Sequence, residues 1–105
     1  MNTQETKTIA VIGTTSWGTT LAILLARKGI IVRLLARTDE EAETLIKAGE
    51  NSRFTPGVPF PSTLTVTSSP KIAIEVADIV VIAVPSNTIR ANIRCISSFI
   101  KPEAI

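Results

Sequence analysis

Three short runs constrain most of what this chain can become: "KTIAVIG" (7–13), "IIVRLLA" (30–36) and "ADIVVIAV" (77–84). Each is nearly continuous in apolar, often β-branched residues rather than alternating. Runs of that kind are strands buried on both faces of a sheet. Between the first two, residues 17–28 are apolar nearly all round, as in a helix packed inside a sheet protein. Arg27 and Lys28 suit its negative C-terminal end, and Gly29 suits the position just past it. "TDEEAETLIKAG" begins a second helix, with Thr38 and Glu41 as a capping-box pair and Ala42, Leu45 and Ile46 on one face. Gly49 closes it. Residues 51–63 hold Pro56, Gly57, Pro59 and Pro61 and read as a loop. "LTVTS" is a short strand, and Ser69-Pro70 opens a brief helix in cap-then-proline order. Pro85 stops the strand over 77–84. Ile89, Ile93, Ile96 and Ile100 then mark one face of a last helix. The order β-α-β-α-loop-β-α-β-α predicts an α/β fold with a parallel sheet and right-handed crossovers.

Composition narrows the function classes. The 105 residues suit one small domain, and 45% hydrophobic residues suffice for one core. The net charge is +2, but the basic residues are scattered and no aromatic platform accompanies them. That pattern argues against nucleic-acid binding. Absence of histidine and a single cysteine, Cys95, argue against a transition-metal site and an internal disulfide. Cys95 lies among apolar positions and reads as a buried structural thiol. The polar start "MNTQETK" has no secretory apolar region, and the apolar runs fall short of a membrane span. A soluble cytoplasmic protein is the expectation.

The chemistry concentrates in "VIGTTSWGTTLA" (11–22). A strand ending at Gly13, followed by a helix, sets helical N–H groups and the positive helix end beside the strand's terminus, where they attract phosphate. In the G-x-G-x-x-G fingerprint of dinucleotide sites the three positions here are Gly13, Thr15 and Gly18. Gly13 can make the tight turn, and Gly18 lets helix and strand lie close. Thr15 replaces the glycine that normally lets backbone approach the pyrophosphate. A positive φ there would cost about 1–3 kcal/mol, whereas a hydroxyl bond to a charged group contributes about 1.5–3 kcal/mol. The two are of similar size, so the substitution predicts a shifted phosphate. At the end of the second strand an NAD site usually places an acid, and an arginine accommodates a 2′-phosphate. The chain reads Ala36-Arg37-Thr38 there, which permits NADP and leaves NAD open. Asp39 follows, in a helix's first turn, where an acid is favoured anyway. Val84 and Pro85, at the end of the fourth strand, should line the crevice at the topological switch point. A glycine-rich turn and a plain proline stop are the structural alternatives for these stretches.

Taken together, "IAVIGTTSWGTTLA", "VRLLART", "NSRFTPGVPFP" and "ADIVVIAVPS" resemble the NAD(P)-dependent glycerol-3-phosphate dehydrogenases of bacteria. They fall in order, at matching spacing, over nearly the whole chain. Trp17 and the proline-rich loop are more specific to that family than the glycines. The resemblance implies a Rossmann-like doubly wound sheet, truncated before its fifth strand, with residues 1–105 forming part of an N-terminal cofactor-binding domain. It implies oxidation of sn-glycerol 3-phosphate to dihydroxyacetone phosphate with NAD or NADP, in the reverse direction supplying the glycerol backbone of phospholipids. The cofactor positions it carries over are Ser16, Trp17, Arg37 and Phe54, with Thr38 beside the 2′-phosphate region. Phe54 stands where the family usually has tyrosine, so the ring is kept and the hydroxyl lost. The family's G-A-G-S-W-G-T-A is departed from at Thr14, Thr15 and Thr20. The family's second, helical domain, with its general-base lysine and most substrate contacts, has no counterpart here, and neither does the lysine after strand five. No catalytic residue is assigned, and Lys101 falls too early for that lysine.

Two other readings stay open: a non-catalytic nucleotide-binding or interaction module, and a fragment of another hydroxyacid or ketopantoate-type dehydrogenase. Without a fifth strand, "DIVVIAV" would be an exposed apolar edge, through which self-association is expected.

Overall fold

The computed structural model describes residues 7–14, 16–53, 55–75, 77–84, 90, 93 and 94. Its elements are β1 (Thr8–Ile12), α1 (Ser16–Arg27), β2 (Ile31–Leu35), α2 (Asp39–Ala48), β3 (Leu64–Thr67), α3 (Pro70–Ile74) and β4 (Ile79–Ile82). All strand pairs are parallel, in the order β3-β2-β1-β4. Thr8 faces Ile31 across the β1–β2 ladder, and Ile9 faces Ile79 across the β1–β4 ladder.

Burial follows the pleat. Ile9 and Val11 of β1, with Val32 and Leu34 of β2, join one apolar cluster, which α1 completes with Ala22, Ile23 and Ala26 and α2 with Ala42 and Leu45. Ala10, Ile12 and Leu35 point to the other face, where they meet Ala73 and Ile74 of α3 and Ala77. Successive residues of one strand therefore feed opposite cores. This is why β1 shows no hydrophobic alternation in sequence, and it makes the fold a Rossmann-like doubly wound α/β sheet. The winding reverses between β1 and β4, since α1 and α2 lie on one face and α3 on the other.

Local chemistry sets the element ends. Thr38 Oγ1 accepts from the Glu41 backbone N–H at 3.0 Å, capping α2. Ser69 Oγ accepts from Ile72 N–H at 3.3 Å, and Pro70 takes the first position of α3. Thr8 and Asp78 exchange two bonds, Thr8 N–H to Asp78 Oδ2 at 3.0 Å and Asp78 N–H to Thr8 O at 2.8 Å, which pin the start of β4 to the start of β1. Among its described residues the proline-rich segment is irregular except for a bridge between Glu50 and Pro59. It is nonetheless packed, with Val58 and Phe60 against the first cluster.

Three expectations change. Residues 17–28 are not covered all round: Trp17 is 68% and Leu24 51% exposed, because α1 touches the sheet along one stripe only. Ile46 is 59% exposed and lies off the face of Ala42 and Leu45, being one residue, about 100° of turn, past Leu45. β4, the most apolar run in sequence, is only half-buried, since among the described residues it pairs with β1 alone. In the last expected helix Ile93 is described and exposed. Ile89, Ile96, Ile100 and Cys95 lie outside the described residues.

The two-sided core makes a clear stability contrast. Leu34 is fully buried and Leu24 is half in water. Leu34→Ala is expected to cost about 2–5 kcal/mol, and Leu24→Ala no more than about 0.5 kcal/mol, measured by urea denaturation of the two variants.

Candidate functional site

The carboxyl ends of β1 and β4 meet the amino end of α1 with no room between them. Gly13 has a φ of +119°, and a Cβ built on it would fall on the Ala83 carbonyl at the end of β4. Gly18, in the first turn of α1, lies so close to the end of β1 that its Cβ would fall on the Gly13 carbonyl. The two glycines expected from the fingerprint thus serve distinct close approaches, strand to strand and helix to strand. The result is the amino end of a twelve-residue helix set at the switch point of the sheet. Its first turn contains no acid. The helix dipole at such a terminus favours an anion, and no acidic side chain on that turn opposes it.

The remaining expected residues fall around this point. Trp17 is in the first turn and exposed. Val84 follows β4, half-buried, with Cγ1 3.1 Å from the position a Gly13 Cβ would take. Arg37 is exposed, two residues past the end of β2. Thr38, beside it, is engaged as the α2 cap. Ser16 opens α1, with nothing described of its side chain, while Thr15, Phe54 and Pro85 lie outside the described residues.

A polar network, not anticipated from the sequence, braces the turn between β1 and α1. Asn51 is 4% exposed, and its Nδ2 donates to Thr14 O and to Thr19 Oγ1, both at 2.9 Å. Because a carbonyl can only accept, the Thr14 contact dictates which end of the Asn51 amide faces the loop. On the other side Thr14 Oγ1 donates to Glu41 Oε1 at 3.0 Å, and the same oxygen accepts from the Arg37 backbone N–H at 3.0 Å. In a complete capping box Glu41 would instead reach the Thr38 N–H. Thr14 is therefore held between α2 and the loop after it. A cavity of about 210 Å³ lies between those two elements, with Thr14, Glu41, Thr44, Glu50, Asn51 and Arg53 among its walls. Gly13, Trp17, Gly18 and Val84 do not line it, so it lies beside the junction of β1, β4 and α1 rather than at it. Asn51 opens the stretch "NSRFTPGVPFP", where an asparagine reads as an ordinary turn residue. Its partners, 37 and 32 residues away, left no trace in the local pattern.

Among the described residues no group of His, Cys, Asp and Glu is arranged to hold a metal ion, and no helix is long and apolar enough to cross a membrane.

Residues 8–105 match the family model described as the NAD-dependent glycerol-3-phosphate dehydrogenase N-terminus. The chain is 51% identical over 86 residues to a glycerol-3-phosphate dehydrogenase [NAD(P)+] of Chlorobium limicola, covering 82% of this chain and 26% of that protein. Among solved structures it is similar to the glycerol-3-phosphate dehydrogenase of Coxiella burnetii, with a TM-score of 0.89 and 34% identity over 94% of this chain and 30% of that one. It is also similar to an octopine dehydrogenase solved with NADH and agmatine, with a TM-score of 0.76 and 26% identity over 94% of this chain and 27% of that one. The chain spans about a quarter of the length of the curated relatives it matches.

The brace has a measurable weight. Asn51→Ala leaves the Thr14 carbonyl and the Thr19 hydroxyl buried without their donor, and a lost buried partner costs about 1–3 kcal/mol. A fall in unfolding free energy of about 2–4 kcal/mol is expected for the pair. Asn51→Asp should be no better, because it sets a carboxylate against a carbonyl. Chemical denaturation of both variants checks this.

Proposed function

The chain belongs to the NAD-dependent glycerol-3-phosphate dehydrogenase family, matching its N-terminal part, and from that premise we propose that it binds NAD(H) or NADP(H) across the carboxyl ends of β1 and β4. The observation that carries the reading is the pair of Cβ-free contacts at Gly13 and Gly18, which bring an acid-free helix start to the switch point of the sheet. The diphosphate rests on the N–H groups there. Gly13, Thr15, Ser16, Trp17 and Gly18 form its cradle. Arg37 and Thr38 face the adenosine ribose, Phe54 contributes its ring, and Val84 with Pro85 lines the crevice wall. The bound dinucleotide supplies the hydride acceptor or donor, and this chain's residues orient it.

The enzyme is one that interconverts sn-glycerol 3-phosphate and dihydroxyacetone phosphate, with residues 1–105 as part of its dinucleotide-binding domain and a cytoplasmic setting. No described residue is offered as the base for the substrate hydroxyl proton. That group and the phosphate contacts of the substrate belong to the remainder of a longer protein, as the quarter-length match supports. The substrate portion and the exclusion of water, on which hydride transfer depends, lie there too. The chain alone is inactive on this reading.

The half-buried β4, paired on one side among the described residues, supports association along its other edge with a further strand or a second copy. Sedimentation velocity of the isolated chain should show self-association. A clean monomer with residues 79–82 protected from amide exchange would count against the second copy.

Trp17 is the sole tryptophan and is 68% exposed, so nucleotide binding beside it should change its fluorescence. Titration with NADH and NADPH is expected to saturate. Arg37→Asp should weaken NADPH far more than NADH, because the substitution turns an attraction for the 2′-phosphate into a repulsion. Equal losses would remove Arg37 from the ribose site.

A further inference from the structure

The sequence places an arginine where a dinucleotide site usually has an acid, yet the fold returns an acid to that place. Of the three carboxylates in the first turn of α2, Asp39 accepts from Ser68 Oγ and Glu40 is exposed. Glu41 alone turns back toward the phosphate-attracting loop. Its Oε1 accepts from the Arg37 N–H, just past β2, and from Thr14 Oγ1, just past β1. The carboxylate thus bridges the ends of the two strands over which an adenosine ribose must lie if the diphosphate sits at α1. Among the described residues both bonds land on Oε1, while Oε2 accepts none, and Glu41 forms part of the wall of the adjoining cavity.

We propose that Glu41 is the specificity-determining residue of this crevice, biasing it toward NAD(H) against the pull of Arg37 on a 2′-phosphate. The inference rests on the dinucleotide reading above. A carboxylate accepts a hydrogen bond from a ribose 2′-hydroxyl. Against a 2′-phosphate it offers no donor and sets like charge beside like charge, the repulsive element that specificity requires. Arg37 and Glu41 therefore act on the same substituent with opposite sign, one as an exposed cation and the other as an anchored anion. Anchoring matters: two hydrogen bonds fix the carboxylate in place, so it cannot swing away to relieve the repulsion.

The charge is separable from the brace. Glu41→Gln keeps an acceptor oxygen for Thr14 and Arg37 and removes the charge. Thr14→Val removes one bond and keeps the charge. Calorimetric titration of the parent chain and both variants with NADH and with NADPH reads the ratio of the two dissociation constants. Glu41→Gln should tighten NADPH at least about tenfold and change NADH less than about threefold, since like-charge juxtaposition is a large discriminating effect. Thr14→Val should shift the ratio by less than about threefold, because the charge stays and the Arg37 N–H still holds Oε1. An unmoved ratio in Glu41→Gln overturns the inference, as does a Thr14→Val shift as large as that of Glu41→Gln, which would make the role structural. Absence of binding by either nucleotide to all three proteins overturns the dinucleotide reading and this inference with it. Binding with an unmoved ratio overturns only the role of Glu41.

Discussion

Everything at the functional end of this fold depends on two places where a single carbon atom is missing. A Cβ at Gly13 would displace β4 from β1, and one at Gly18 would lift α1 off the end of β1. Protein interiors are packed too densely to absorb such intrusions locally. The strand pairing and the position of the amino end of α1 are therefore one arrangement. The core clusters on the two sheet faces hold it from below, and the Asn51 brace holds it from the side.

The architecture was legible because two-sided burial leaves a mark on composition. Runs such as "IAVI" and "IVVI" have no polar face to offer water, and that alone demands helices above and below. Helix starts were legible for the same local reason: Thr38 and Ser69 cap as their neighbours foretell. Where sequence reasoning erred, the question was one of neighbours rather than propensity. Trp17, Leu24 and Ile46 are apolar and helical, yet nothing in the one-dimensional pattern says which stripe meets the sheet. β4 reads, like β1 and β2, as a strand buried on both faces, but burial also depends on what lies beside a strand.

The site divides along the same line. Gly13 and Gly18 were readable because their role is backbone geometry, and that is written in residue type. Glu41 was read as half of a capping box, a local device, and its backbone N–H does serve that cap. Its carboxylate instead joins Thr14 to Arg37, 27 positions from one and four from the other. Asn51 likewise acts only through residues remote in sequence. Long-range polar ties satisfy buried groups that the tertiary fold creates, so no window of the sequence contains both the need and its answer.

The pinning of Thr8 to Asp78 spans 70 positions, and it has a consequence for how the chain is made. β1 is the middle of the sheet, yet one of its edges finds its partner only after residues 79–82 have been synthesised. A ribosome adding roughly 5–20 residues per second needs several seconds to travel from β2 to β4, while collapse of small chains takes microseconds. Throughout that interval the nascent polypeptide carries β1 with an open flank. The interval is a window for chaperone capture, and it ends when the last described strand leaves the exit tunnel.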